Sequence, residues 1–204
     1  MPVPATEVIP TGGFDPLFFW DQHKKQIVAY AAILLAGALI FGLHELRDQR
    51  KAEQAQELYA RADTEQEYRR IIQDYPLSVE AGNASLLLAE KLRLEKKYDG
   101  SIAALREFIA RQPDHPLIDG ATLGIGAALE AQGQADKALD EYQRVLSRYS
   151  DRYSAPLAQM ARANLLRSRG NLEEARRAYE NVQAQFPESL FAQQALQEAK
   201  LLKK

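Results

Sequence analysis

One step length dominates this chain. From Tyr68 onward, similar residues recur every 37 positions. Tyr68, Leu105, Tyr142 and Tyr179 share one register, and Ile71, Phe108, Val145 and Val182 share another. Ala84, Ala121, Ala158 and Ala195 keep the same step, as do Leu92, Leu129 and Leu166. The breaks keep it too, at Pro76, Pro113, Ser150 and Pro187, with Gly133 and Gly170 in one further register. A period of this length marks stacked copies of one supersecondary unit, none of which can bury its apolar face alone.

Each unit reads as two helices, A and B. The expected pairs are about 80–95 with 99–111, about 117–132 with 136–148, and about 154–169 with 172–185. A last A-type helix is expected over about 190–203, with Leu190, Phe191, Leu196, Leu201 and Leu202 leaving it substantially apolar. Gly133 and Gly170 suit the left-handed conformation that ends a helix. Prolines cannot continue the helix before them. Asn171 with Glu174, and Thr64 with Glu67, have the spacing of a capping box at a helix start. One step back from 80 places a first A helix at about 43–60, with its B partner at about 63–74. The expected fold class is all-α: an α-solenoid of about four helix pairs plus a C-terminal helix.

One segment stands outside this pattern. Ile27 to Leu43 reads IVAYAAILLAGALIFGL, and 19 uncharged residues separate Lys25 from Glu45. As a helix, at about 1.5 Å per residue, they span roughly 28 Å, against a bilayer core of about 30 Å. Phe18, Phe19 and Trp20 stand where an interfacial aromatic belt would lie, and Lys24 and Lys25 can snorkel to head groups. A buried core helix and a cleaved signal peptide, with Ala36 and Ala38 as an A-x-A site, are the competing readings. The first fits poorly with a run whose only polar residue is Tyr30. The second fits poorly with a run that continues five residues past Ala38. The expected organisation is therefore a disordered tail over 1–21, rich in Pro and Gly, a transmembrane helix over 22–44, and the repeat domain over 45–204. No Pro or Gly linker follows Leu43, so one helix from about 22 to 60 is expected to hold the repeats close to the bilayer. Charge leaves the orientation open: Lys24 and Lys25 precede the span, Arg47, Arg50 and Lys51 follow it, and long domains translocate regardless of such charges.

Composition removes several classes of function. A net charge of −2 argues against nucleic acid as the main partner, which would need a basic surface. The absence of cysteine excludes disulfides, Cys-ligated zinc, a thiol nucleophile and lipidation at an N-terminal cysteine. The three histidines are far apart: His23 and His44 flank the apolar run, and His115 lies in an inter-repeat turn, each read as a surface residue. No nucleophile elbow, P-loop, H-E-x-x-H or dinucleotide fingerprint is present. The sequence points to no catalytic residues, no metal, no cofactor and no small-molecule substrate, and function is expected on a surface.

The spacing Gly126–Leu129–Gly133–Ala138–Tyr142–Ser150, repeated as Ala163–Leu166–Gly170–Ala175–Tyr179–Pro187, resembles the tetratricopeptide repeat (TPR) lengthened by three residues. Ser85, Thr122 and Gln159 stand where that motif has its first aromatic residue. In the TPR register the inner faces of the A helices carry Asn83, Leu86, Glu90 and Arg93, then Leu123, Ala127 and Glu130, then Leu157, Met160, Asn164 and Arg167. Leu86, Leu123 and Met160 share one position, so the expectation is an apolar stripe with a mixed-charge rim, suited to a peptide or partner helix. The lysines that TPR domains use to grip a C-terminal carboxylate are absent. The order of parts, with FW before a Lys-flanked span and a helix running into divergent repeats, resembles the ancillary subunit of the bacterial SecYEG translocon. That resemblance covers roughly residues 15–204. It implies a single-pass protein of the bacterial inner membrane with its N-terminus in the cytoplasm and its repeats in the periplasm. It also implies an adaptor that binds translocon subunits and a membrane-anchored periplasmic chaperone and assists hand-over of secreted proteins. A scaffold for another envelope assembly task and an adaptor with cytoplasmic repeats are the alternatives.

Overall fold

The computed structural model describes residues 16–203. Those residues are helices and the turns between them, in the order α1 (Pro16–Arg61), α2 (Glu65–Asp74), α3 (Val79–Leu94), α4 (Tyr98–Arg111), α5 (Ile118–Ala131), α6 (Ala135–Arg148), α7 (Ser154–Ser168), α8 (Leu172–Gln185) and α9 (Ala192–Leu201). The chain divides into two units, Met1–Arg50 and Lys51–Lys204. The disordered tail expected over 1–21 lies outside the described residues as far as 15. Its last six positions, 16–21, are instead helical, because a helix accepts proline in its first turn.

The first unit contributes the apolar part of α1. Among the described residues, this is the one helix long and apolar enough to span a membrane. Val28, Tyr30, Ile33, Leu34, Leu35, Leu39, Ile40, Phe41 and Leu43 are all exposed along it. Leaving such side chains in water forgoes about 1.5–3 kcal/mol each. Over nine of them that is comparable with the about 5–15 kcal/mol that holds a whole domain folded. This surface therefore calls for an apolar environment.

In the second unit, consecutive helices from α2 to α9 pack against one another, and the A helices α3, α5 and α7 also touch in succession. The B helices α4, α6 and α8 make no comparable contacts, so the A helices form the inner layer. Ala55 is wholly buried, and Leu58, Tyr59 and Ala62 pack on Tyr68, Ile71, Ala84 and Leu88, so the end of α1 serves as the first A helix. Small residues sit where each B helix crosses its A helix: Ser101, Ala138 and Ala175 are each 1% exposed or less. Ser101 donates its hydroxyl to the Ala89 carbonyl at 2.7 Å, so the buried oxygen is satisfied. Ser85 and Thr122, in the place of the motif aromatic, donate to the carbonyls four residues back, and Gln159 reaches the Ala178 carbonyl of α8.

The A-to-B turns after α3, α5 and α7 share one geometry. Lys96, Gly133 and Gly170 have φ of 62°, 81° and 82°. The next amide donates back to Leu92, Leu129 and Leu166 respectively, which is the Schellman closure of a helix C-terminus. A tie between units recurs in register as well: Gln132 donates to Asp99, and Arg169 pairs with Asp136. At the helix starts, Thr64 and Glu67 form the expected capping box. Asn171 does not. Its ψ of 63° is outside the extended range that lets an N-cap side chain reach forward, because it follows directly on the left-handed Gly170.

His115, expected at the surface, is half-buried. Its ring stands edge-on to Phe108 with centroids 5.0 Å apart, and its Nδ1 accepts the Leu117 amide at 3.2 Å. Gly82 permits this, since a Cβ there would fall 2.6 Å from the imidazole. Burial holds the imidazole below its ordinary value of 6.5, with the Val79 carbonyl acting weakly in the opposite direction. A folded-state value below the unfolded one means that the unfolded chain binds the extra proton first. The ring's contribution is therefore complete above about pH 6.5 and is lost as pH falls.

Two outcomes follow. Lys96→Gly should raise stability by about 0.5–1 kcal/mol and Gly133→Lys lower it by about 1–2 kcal/mol in urea titrations, because both positions hold the left-handed backbone that favours glycine. Between about pH 7.5 and about pH 5.5, His115→Gln should lose less stability than the parent chain. Parallel losses would contradict the buried neutral ring.

Candidate interaction face

The inner layer is built by the A helices, and the expected site residues lie on it with unequal exposure. Leu86 and Leu123 are half-buried and pack against the central core of Leu105, Ile125 and Tyr142. Asn83, Ala127 and Leu157 are also half-buried. Met160 is 6% exposed and belongs to one cluster with Ala195 and Ala199 of α9, so the expected three-residue stripe stops at Leu123. The last A helix covers the third position, which the register alone could not show.

The rim charges are held within the fold. Arg93 forms a two-pronged bond to Glu90, at 2.8 and 2.6 Å. This bond holds the Glu90 carboxyl below its ordinary value. Glu130 accepts the Tyr142 hydroxyl at 2.6 Å, and Asn164 accepts that of Tyr179 at the same distance. Arg167 pairs with Glu198 of α9 and lies 5.8 Å from the centre of the Tyr179 ring. Burial, then the Glu130 carboxylate, pushes the Tyr142 hydroxyl well above the usual phenol range. Tyr142 packs so closely on α5 that a Cβ at Gly126 would fall 2.5 Å from its ring.

Two cavities were not read from the sequence. One, of about 280 Å³, opens on the inner layer between α3 and α5, with Leu105 of α4 in its floor and Leu86, Leu87, Gly120 and Gly124 around it. The other, of about 1010 Å³, lies between α2 and α4 and is lined by Ile72, Leu88, Ala104 and Phe108. Its signal was present in the register: Gly100, Ala103 and Ala104 stand where the next unit has Lys137, Asp140 and Glu141. Among the described residues, no group of three or more His, Asp or Glu side chains is placed to hold a metal ion.

Removing the two tyrosine hydroxyls should have unequal effects. Tyr142→Phe abandons a bond to a carboxylate and should cost about 1.5–3 kcal/mol, whereas Tyr179→Phe abandons one to an amide and should cost about 0.5–1.5 kcal/mol, both read by urea unfolding.

The chain matches the profile of the family described as "Tetratricopeptide repeat-like domain" over residues 18–202. No curated protein matches it. Among solved structures, the crystal structure of MamA superposes with a TM-score of 0.51 at 20% identity, over 68% of this chain and 76% of that one. A putative kinesin light chain from Podosopora anserina, with nearly identical TPR-like repeats, gives 0.43 at 15% identity, over 77% of this chain and 95% of that one. At such identities MamA speaks for the fold alone, and the fold agrees with the helix pairs, their turns and their period. Repeat stacks of this kind are in general interaction scaffolds. With nearly its whole length matched by that one profile, the chain belongs to the tetratricopeptide repeat-like domain family.

Proposed function

We propose that this chain is a membrane-anchored adaptor that holds protein partners on the inner face of its repeats. The observation that carries the reading is the union, in one chain, of an uncovered apolar helix with a TPR-like stack whose inner-face charged side chains are already bonded within the fold. The helix supplies attachment, with the span over 22–44. The stack supplies a surface with apolar contacts to offer and no assembled nucleophile, base and orienting group.

The finer proposal is an accessory component of the bacterial Sec translocon, assisting hand-over of secreted proteins to a membrane-anchored periplasmic chaperone. It rests on the order of parts: an aromatic pair, a Lys-flanked span, then divergent repeats. In this reading the protein is single-pass in the inner membrane, with its N-terminus cytoplasmic and its repeats periplasmic.

Purification in mild detergent after chemical crosslinking tests the partners. Translocon subunits or a periplasmic chaperone should be recovered, and recovery of neither contradicts the finer proposal. Protease added to spheroplasts tests the orientation. Residues 60–204 should be digested, and their protection would place the repeats in the cytoplasm.

A further inference from the structure

The cavity between α3 and α5 is lined in part by residues that the register does not repeat. Its inner wall carries Gly120 and Gly124, where α3 has Asn83 and Leu87 and α7 has Leu157 and Ala161. Glycine inside a helix is destabilising relative to alanine, so its presence calls for a reason. Packing supplies one at Gly124, where a Cβ would stand 3.0 Å from Leu105 Cδ1. It supplies none at Gly120, where a Cβ would meet only Leu86, at an ordinary 3.7 Å. The absent side chain at 120 widens an open slot of about 280 Å³, floored by Leu105 and flanked by Leu86 and by Leu87, which is 41% exposed.

The charges at its mouth define what enters. Glu90 and Arg93 cancel and are bonded to each other at two points. Glu130 lies outside the lining, and its carboxylate keeps its charge while it accepts the Tyr142 hydroxyl. Within the lining of the slot no formal charge is left over to receive an ionic group, and a Lys or Glu side chain buried there would be stripped of water without a partner.

We propose that this slot is a specificity pocket for one large uncharged apolar side chain, Leu or Phe in kind, presented by an extended segment of a protein partner. The proposal rests on the adaptor reading and adds to it the chemistry of the anchor residue. Binding through this pocket depends on apolar burial, so it is insensitive to salt.

The test uses the full chain in nanodiscs and pentapeptides Ac-Gly-Gly-X-Gly-Gly-NH2, followed through the backbone amides of Gly120 and Gly124 by NMR. With X as Leu or Phe, the shifts should saturate, with the same midpoint at about 50 and about 500 mM NaCl. With X as Lys or Glu, binding should be at least tenfold weaker. Gly120→Leu should fill the slot and weaken the Leu peptide at least tenfold. Gly120→Ala should raise the melting temperature while also weakening that peptide, which separates occupancy of the slot from misfolding. Equal binding of the Lys or Glu peptide, no saturable shift with any peptide, or unchanged Leu binding in both variants overturns the proposal. If crosslinked partners are recovered while the slot fails these tests, the adaptor reading stands and the pocket falls. If no partner is recovered while the peptides bind as expected, the reverse holds.

Discussion

The stack depends on how closely each B helix crosses its A helix. At that crossing stand Ser101, Ala138 and Ala175, and none has a side chain that would hold the helices apart. Close approach brings the next larger residue of each B helix, Leu105, Tyr142 or Tyr179, into the layer of A helices. Those residues then fill the junction between units, where apolar burial gives most of the stabilisation. The left-handed turns at 96, 133 and 170 set the angle at which each B helix leaves, and the closing bonds back to Leu92, Leu129 and Leu166 keep that angle the same. A regular crossing and a regular turn together make the 37-residue step.

The inner face follows from the same packing. Tyrosines that cross into the A layer carry hydroxyls that need acceptors. Glu130 and Asn164, polar residues on the inner face, provide them. Arg167 is drawn to Glu198 by the last helix. Side chains that look from sequence like a charged rim are therefore the outer ends of the interior. In the proposed adaptor, what the face would offer a partner is its apolar part, around Leu86, Leu87 and Leu123.

Much of this was legible before the structure. The period and the helix pairs are repeated signals, and the glycine turns and the Thr64 capping box are local ones, set by residues within one or two turns of one another. The misses other than Asn171 share one cause, which is contact between elements. Met160 reads as surface until α9 is placed over it. His115 reads as a turn residue until Gly82 of α3 opens a place for its ring. Asn171 has the right identity for a cap and the wrong backbone, because the preceding left-handed glycine decides its dihedrals. The slot at Gly120 reads as a weak helix position until α3 and α4 surround it.

The account turns on which face of the stack meets other proteins. A photo-crosslinking side chain placed at Leu87, on the inner layer, compared in cells with one at Arg106, exposed on α4, addresses this directly. The account predicts a discrete protein adduct from position 87, displaced by an excess of an apolar peptide, and none from position 106. Adducts from 106 alone, or the same adducts from both positions, would contradict it.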